Sequence, residues 1–320
     1  VPRWFGPDVA PEYLIHAYIE ARGADVVHVA GVFSVPSVQA LAAAMAAGRP
    51  AVLSPHGSLE LAALAFGPVR KKRLWLRAFA PLMRRVTLFH ATCTREAESI
   101  QRALGPDARV RVVPHGVDLP PLRERPEETG PAIVSFIGRI HRIKALERLI
   151  DALAILRDRR VIFRAELAGP SPDEAYAKEL GLRVQEHKLD GIVRFVGEVR
   201  GDDKVRFYER SRVCVLPSST ENFGNVVVEA LSYATPVVAS RFTPWAELEE
   251  ARCGRWTDNS PSALADAIEP YLRSASLSRE DGVRGRALVE RRYAWPVVAT
   301  SVIALYKEAI AQGPSVTRGS

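Results

Sequence analysis

The stretch PSSTENFGNVVVEALSYATPVVAS, residues 217–240, sets two carboxylates, Glu221 and Glu229, around a tight polar turn. Three chemistries fit such a pair: an acid pair flanking a scissile bond, a helix cap, or a clamp on a bound ligand. The preceding VCVLP reads as a buried strand, and a helical pattern starts near Asn225. Glu221 therefore sits in a strand-to-helix loop with Asn222 and Phe223, and Glu229 lies about one turn into the helix. Gly224 permits a turn closed to side chains. The backbone N–H groups of Gly224, Asn225 and Val226 then point outward from the helix start and, with its dipole, make an anion site. Taken alone, the acids have a simpler reading, in which Glu221 caps the helix and Glu229 forms a surface ion pair.

Two further stretches carry polar groups at strand ends. In FIGRIHRIK, Gly138 ends a strand and Arg139 and Lys144 follow. Arginine offers a fork for phosphate oxygens and lysine a mobile point charge, a combination suited to a diphosphate. The chain has neither G-x-G-x-x-G nor a P-loop, so the site is not that of a dinucleotide or ATP enzyme of those kinds. In SPHGSLE, His56 follows a strand with Gly57 behind it, placing an imidazole where it can hydrogen-bond a sugar hydroxyl or position a reacting group. His28 and His90 lie inside apolar strands and read as satisfied core histidines; His115, in VPHGVD, reads as structural. The alternative for each basic loop is a solvated surface.

The elements that must hold these groups follow a βαβα order. DVVHVAG, AVLSPHG, TLFHATC and RVRVVPHG read as strands of a first unit; AIVSFIGR, VIFRAELAG, IVRFVGE, RVCVLPSS and TPVVASR as those of a second. Helical patterns intervene, among them 146–157 and 176–187. This order implies α/β architecture: two doubly wound, Rossmann-like domains with parallel sheets covered on both faces. In such sheets ligands collect at the carboxyl ends of strands, where all these polar stretches fall. DLPPLRERPEETGP, rich in proline and charge, reads as a linker. The expected domains are residues 1–118, a linker at 119–130, a second domain at 131–294, and a terminal helix at 295–311 that crosses back to the first domain. The first domain shows only about four strands and no opening glycine-rich turn, so it is expected to be truncated.

Composition bounds the rest. The 320 residues are 47% apolar and 25% charged, as in globular proteins. Net charge is +7; residues 1–118 hold 14 basic and 9 acidic side chains, a surplus of +5. That bias is too mild to indicate a nucleic-acid partner, yet it suits phosphate groups or an anionic membrane surface. Cys93, Cys214 and Cys253 lie far apart without metal-ligand spacing and read as reduced core thiols. GDD, residues 201–203, reads as a helix cap and not as a metal motif. No signal-peptide pattern or membrane-length apolar run is read, which points to the cytoplasm. In VRKKRLWLRAFAPLMRR, Arg70, Arg73, Arg77 and Arg84 share one helix face and Trp75, Phe79, Leu82 and Val86 another, with Pro81 expected to kink the helix.

Together these motifs resemble the retaining glycosyltransferases of family 4, with the GT-B fold. ENFGNVVVE matches that family's E-x7-E signature. SPHGSLE followed by KKRLWL, FHATCTREAESI and PHGVD is similar to the branch that builds lipopolysaccharide and exopolysaccharide chains, and TPWAEL to a loop of its second domain. The resemblance implies two domains facing across a cleft and a UDP- or GDP-sugar donor. It also implies a saccharide or lipid-linked saccharide acceptor, and no cofactor or metal. It implies that Glu221 contacts donor-sugar hydroxyls, Glu229 holds the ribose, Arg139 and Lys144 bind the diphosphate, and Glu198 and Val199 edge the nucleobase. His56 would meet the donor sugar from the opposite domain. A lipid-linked acceptor gives Arg70, Lys71, Lys72, Arg73 and Arg77 a role in docking peripherally on the inner face of a membrane. Ala145 stands where the family usually has glycine, and His115 where it commonly has asparagine. Two other functions fit the same residues: a nucleotide-sugar-binding protein without transfer activity, and a GT-B sugar-nucleotide epimerase.

Overall fold

The structure, a computed structural model, describes residues 11–122 and 130–314. Within them the chain forms two compact units, one reaching to His115 and resuming at Val298, the other spanning Gly116–Val297. The first contains α1 (Pro11–Gly23), β1 (Val27–Ala30), α2 (Val35–Ala46), β2 (Ala51–Ser54), α3 (Leu61–Ala65), α4 (Val69–Met83), β3 (Leu88–Ala91), α5 (Thr94–Leu104) and β4 (Val110–Val112). The second contains β5 (Ala132–Ile137), α6 (Leu146–Asp158), β6 (Phe163–Ala168), α7 (Glu174–Glu186), β7 (Val193–Gly197), α8 (Gly201–Glu209) and β8 (Val213–Leu216). It continues through α9 (Asn225–Ser232), β9 (Val237–Ser240), α10 (Glu247–Glu250), β10 (Gly254–Thr257), α11 (Pro261–Arg273) and α12 (Ala275–Arg292). The last helix, α13 (Trp295–Gln312), starts in the second unit and belongs to the first from Val298 on.

The first sheet is parallel, in the order β1-β2-β3-β4. Its inner strands AVLS and LFHA are buried along their whole length, which is why they read as unbroken apolar runs rather than alternating ones. Helices supply the cover: α2 with Leu41, Ala43 and Ala44, α4 with Trp75, Ala80 and Met83. The Trp75 indole donates to the Val32 carbonyl at 2.9 Å, so burying the ring strands no donor. The basic face of α4 stays exposed at Arg70, Lys71, Arg73 and Arg77. Lys72 departs from the expected surface. It donates to the carbonyls of Ala63 and Phe66 at 2.6 and 2.8 Å and lies over the Phe33 ring, and burial lowers its pKa.

The second sheet has six parallel strands, β10-β9-β8-β5-β6-β7. Five were expected; the sixth, GRWT, lacks the apolar run that marks a buried strand. It is placed by its pairing with β9, Gly254 opposite Val237, and by the Trp256 indole donating to Thr243 O at 3.0 Å. Chain direction across the sheet reverses between β5 and β8, which opens a crevice at their carboxyl ends. The GDD stretch opens α8 but does not cap it: Arg200 holds the cap position without a side-chain bond, and Asp202 and Asp203 sit in the first turn. There their charges favour the positive end of the helix. On α12, Gly282 and Gly285 let that helix press against the end of α9. A Cβ on Gly282 would overlap the Ala234 carbonyl, and one on Gly285 would lie 2.5 Å from Leu231 Cδ2.

Of the expected linker, residues 123–129 lie outside the described residues. Its start is held firmly within the second unit: Val117 bridges to Ala294, its N–H donates to Tyr293 O at 2.8 Å, and Arg286 donates to Pro120 O at 2.8 Å. Among the described residues no helix is long and apolar enough to cross a membrane.

Helix α13 is fastened to the first sheet by packing and by a chain of imidazoles. Leu305 and Ala309 close a small core with Val52 and Leu88, and Arg111 forks onto Glu308 at 2.6 and 2.7 Å. His90 Nε2 lies 2.7 Å from the Val113 carbonyl, which can only accept, so Nε2 carries the proton and Nδ1 accepts. The Ser54 hydroxyl then donates to His90 Nδ1 at 2.7 Å and accepts from His28 Nε2 at 2.6 Å. His28 Nδ1 in turn accepts from the Tyr306 hydroxyl at 2.8 Å. His28 is thus satisfied, as expected, but at an exposed position instead of in the core.

Two outcomes follow. His28 keeps an exposed edge, but its ring is enclosed between Ser54 and Tyr306; this partial burial first, then His90 and His56, lower its pKa to about 4. The unfolded chain, with its histidine near 6.5, therefore binds more protons, and stability is lost as pH falls from about 6.5 through about 4. The thermal midpoint measured across that window should fall, and His28→Gln should flatten the decline; an unchanged slope would show that His28 titrates normally. Gly282→Ala should cost about 1–3 kcal/mol in denaturant melts, because a backbone carbonyl must move. Gly181→Ala, in α7 with open space around it, should be neutral or stabilising by about 0.5–1 kcal/mol; the same sign for both would refute the packing argument.

Candidate functional site

Three neighbouring strands leave the second sheet on glycine. Gly138 after β5 donates its N–H to Ala168 O at 2.9 Å, and Gly169 after β6 donates to Gly197 O at 2.7 Å, at the end of β7. All three have positive φ, 153°, 140° and 74°. A Cβ on Gly169 would overlap the Gly138 carbonyl, so only bare backbone fits where these loops meet. Arg139 follows, exposed and without a partner among the described residues. A single 3-10 turn, Arg142–Lys144, then delivers Lys144. Ala145 begins α6 at φ 50°, fully buried. The left-handed conformation explains why glycine is usual there; alanine takes it at a cost of about 1–2 kcal/mol.

The loop after β8 lies beside this one, joined by Ser219 N–H donating to Ile143 O at 2.8 Å. Glu221 is ion-paired with Lys144 and accepts from the Ser218 hydroxyl at 2.8 Å. The two charged side chains are only 15% and 14% exposed, so each replaces part of the other's lost hydration. Glu221 does not cap α9. Gly224 holds that position at φ 79°, and a Cβ there would come within 3.1 Å of Leu216 and 3.4 Å of Trp245. The Trp245 indole donates to Phe223 O and its ring packs on Phe223 and Tyr293. Phe223, expected at the ligand, is instead 5% exposed: it is the plug that anchors the loop. Asn222 is half-buried, Asn225 is exposed at the helix start, and Val226 packs partly against the core.

Glu229, within α9, is where a surface pair was the simpler alternative, and it is indeed paired. Lys204 lies 2.7 Å from its Oε2, and the Tyr208 hydroxyl donates to the same oxygen at 3.0 Å. Glu198, after β7, pairs with Arg200 at an exposed position, while Val199 packs against the core edge. The loops after β5, β7 and β8 and the start of α9 thus hold the expected residues in two ion-paired groups, Lys144–Glu221 and Lys204–Glu229, with Arg139 apart.

In the first unit, His56 stands exposed at φ 50° after β2. Its ring meets those of His115 at 5.5 Å and His90 at 6.4 Å. Partial burial of the ring, then His115, lower its pKa, with Glu96 opposing, although one edge of the residue stays open to solvent. Gly57, expected to touch a ligand, is buried and gives its N–H to Glu96 Oε1 at 2.6 Å. Glu96 Oε2 accepts from Thr92 N–H and hydroxyl at 2.7 and 2.8 Å. This carboxylate, 1% exposed, ties the His56 loop to the start of α5. Glu96, Ser218, Trp245, Lys204 and Tyr208 were not singled out from sequence. Glu96 and Ser218 lie inside stretches already marked as motifs, whereas nothing local marks Lys204. Cys214 and Cys253 are buried, which pushes their thiols up to about 12. Among the described residues no group of three or more His, Cys, Asp or Glu is placed to hold a metal ion.

Comparison with known proteins identifies the family. Residues 2–120 match the family model described as Glycosyltransferase Family 4, and residues 131–274 match that described as Glycosyl transferases group 1. A D-inositol 3-phosphate glycosyltransferase of Corynebacterium glutamicum is 33% identical over 65% of this chain and 51% of its own length. One from Saccharomonospora viridis is 31% identical over 82% and 66% respectively. The chain spans about half to two thirds of the length of these relatives. The solved structure of Anabaena HepE in complex with UDP superposes with a TM-score of 0.79 at 22% identity, covering 93% of this chain and 82% of that one. The fold is GT-B, and the chain belongs to the family 4 glycosyltransferases.

Proposed function

We propose that the protein transfers a sugar, with retention of anomeric configuration, from a nucleoside diphosphate sugar to a saccharide or lipid-linked saccharide. The observation that carries this is the constellation at the strand-order reversal. Exposed Arg139, the Lys144–Glu221 pair and the open start of α9 all follow the carboxyl ends of β5 and β8. The diphosphate is held by Arg139, by the α9 terminus and by the N–H bonds that Lys144 has left over from Glu221. Positive charge there stabilises the leaving diphosphate as the glycosidic bond breaks. Glu221, fixed by Lys144 and Ser218, accepts from donor-sugar hydroxyls, and Glu229 accepts from the ribose. Glu198 lies at the nucleobase edge. His56 supplies a hydrogen bond to the transferred sugar. The relatives' name, D-inositol 3-phosphate glycosyltransferase, adds a phosphorylated polyol to the acceptors worth assaying. Exposed Arg70, Lys71, Arg73 and Arg77, with Leu74 among them 69% exposed, support peripheral docking on an anionic membrane.

Arg139→Ala with Lys144→Ala should weaken UDP or GDP binding in titration calorimetry by about 2–4 kcal/mol and leave free nucleoside binding nearly unchanged. Equal losses for both ligands would place the diphosphate elsewhere. Glu221→Ala should reduce transfer far more than nucleotide affinity. Donor turnover without any acceptor, with the sugar epimerised, would favour the epimerase; binding without turnover under any acceptor would leave a nucleotide-sugar-binding protein.

A further inference from the structure

Helix α8 holds two donors one turn apart, Lys204 and Tyr208, and both reach the same oxygen of Glu229. The Lys204 ammonium lies 2.7 Å from Oε2 and the Tyr208 hydroxyl 3.0 Å from it. A carboxylate oxygen has about two acceptor positions, so Oε2 is filled. Oε1 takes no hydrogen bond from the described residues. Tyr208 is itself rigid: fully buried, stacked on Tyr233 at 5.2 Å and 15°, and bonded through its carbonyl to the Thr235 hydroxyl at 2.9 Å. Burial and the neighbouring carboxylate raise its pKa well above the ordinary value, so the phenol remains a donor throughout the working pH range. The Glu229 backbone is fixed as well, its carbonyl accepting from Ser232 at 2.7 Å.

We infer that Lys204 and Tyr208 are positioning residues that lock the rotation of the Glu229 carboxylate and leave Oε1 as its single acceptor for ligand hydroxyls. The inference rests on the assignment of Glu229 to the ribose. A carboxylate pinned through one oxygen cannot chelate a vicinal diol through both, so recognition falls on one hydroxyl, or on two sharing Oε1. Holding the group in advance removes the rotamer entropy that a free glutamate would lose on binding. Lys204 also balances the charge of Glu229, which keeps a half-buried anion close to a diphosphate without net repulsion.

The test uses the full chain and whichever of UDP and GDP binds it more tightly, with that ligand's 2′,3′-dideoxy counterpart. Glu229→Ala, Lys204→Met and Tyr208→Phe should each weaken the hydroxylated ligand about 3–10-fold. The Lys204→Met and Tyr208→Phe double variant should come close to Glu229→Ala, because all act on one carboxylate. None should weaken the dideoxy ligand more than about twofold, and Lys204→Arg should restore most of the affinity. Thermal midpoints within a few degrees of the parent exclude unfolding as the cause. If Glu229→Ala weakens binding but the α8 variants do not, or if they weaken both ligands alike, the positioning role is wrong. If Glu229→Ala has no effect, or neither nucleotide binds, the ribose assignment itself falls, and the inference with it.

Discussion

A lysine and a glutamate that share a half-buried pocket at the ends of β5 and β8 set the terms for the second unit. Lys144 and Glu221 are each only about one-seventh exposed, 15% and 14%, so water can replace neither partner fully. Removing one partner of such a pair typically costs about 3–5 kcal/mol, because the other is left uncompensated. The surrounding backbone is arranged to bring them together. Ala145 takes a left-handed conformation so that α6 starts immediately after Lys144, and Gly224 does the same so that α9 starts immediately after the Glu221 loop. Phe223 and Trp245 nail that loop to the core, and Ser218 holds the carboxylate from below its own strand end. The pair therefore joins two strands whose connections run in opposite directions across the sheet.

The first unit solves a different problem, that of polar groups at strand ends without net charge. Burial and mutual repulsion shift the pKa values of His28, His56 and His90 downward, and the Val113 carbonyl fixes the tautomer of His90 and, through Ser54, that of His28. One acceptor thus sets the direction of four hydrogen bonds that end on α13. One of the two buried carboxylates in this neighbourhood, Glu96, accepts from backbone N–H groups that shape the His56 loop, and the other, Glu60, faces Arg95. Ion pairs mark the loops after β5 and β8 in the second unit, and a cluster of imidazoles marks the strand ends of the first.

Much of this was legible in the sequence. Fully buried parallel strands such as AVLS, LFHA, VCVL and VVAS show as apolar runs, and the partly exposed VHVA, VRV and VRFVG were marked by their β-branched residues, so nine strands were read. GRWT was not, because it has no β-branched or apolar run and only its pairing with β9 places it in the sheet. The glycines at 138 and 224 and the polar residues after them pointed to strand-end loops, and the structure puts them there. The reading of Lys72 as a membrane-facing cation failed because charge alone does not reveal nearby helix-end carbonyls. Phe223 and Gly57 failed for a related reason: a residue inside a motif can serve the loop's shape instead of its ligand.

Local sequence determined the alternation of strand and helix, the glycine-dependent turns, and the residue types gathered at strand ends, since these depend on neighbours a few positions away. Which charges are paired was decided only by the tertiary structure. Lys144 meets Glu221 across 77 residues, and Lys204 and Tyr208 converge on one oxygen of Glu229 from another helix. Gly57 finds Glu96 across 39 residues. Such contacts arise from strand order and helix packing, which no local pattern encodes, and electrostatic energy depends on the final distance and burial rather than on separation along the chain.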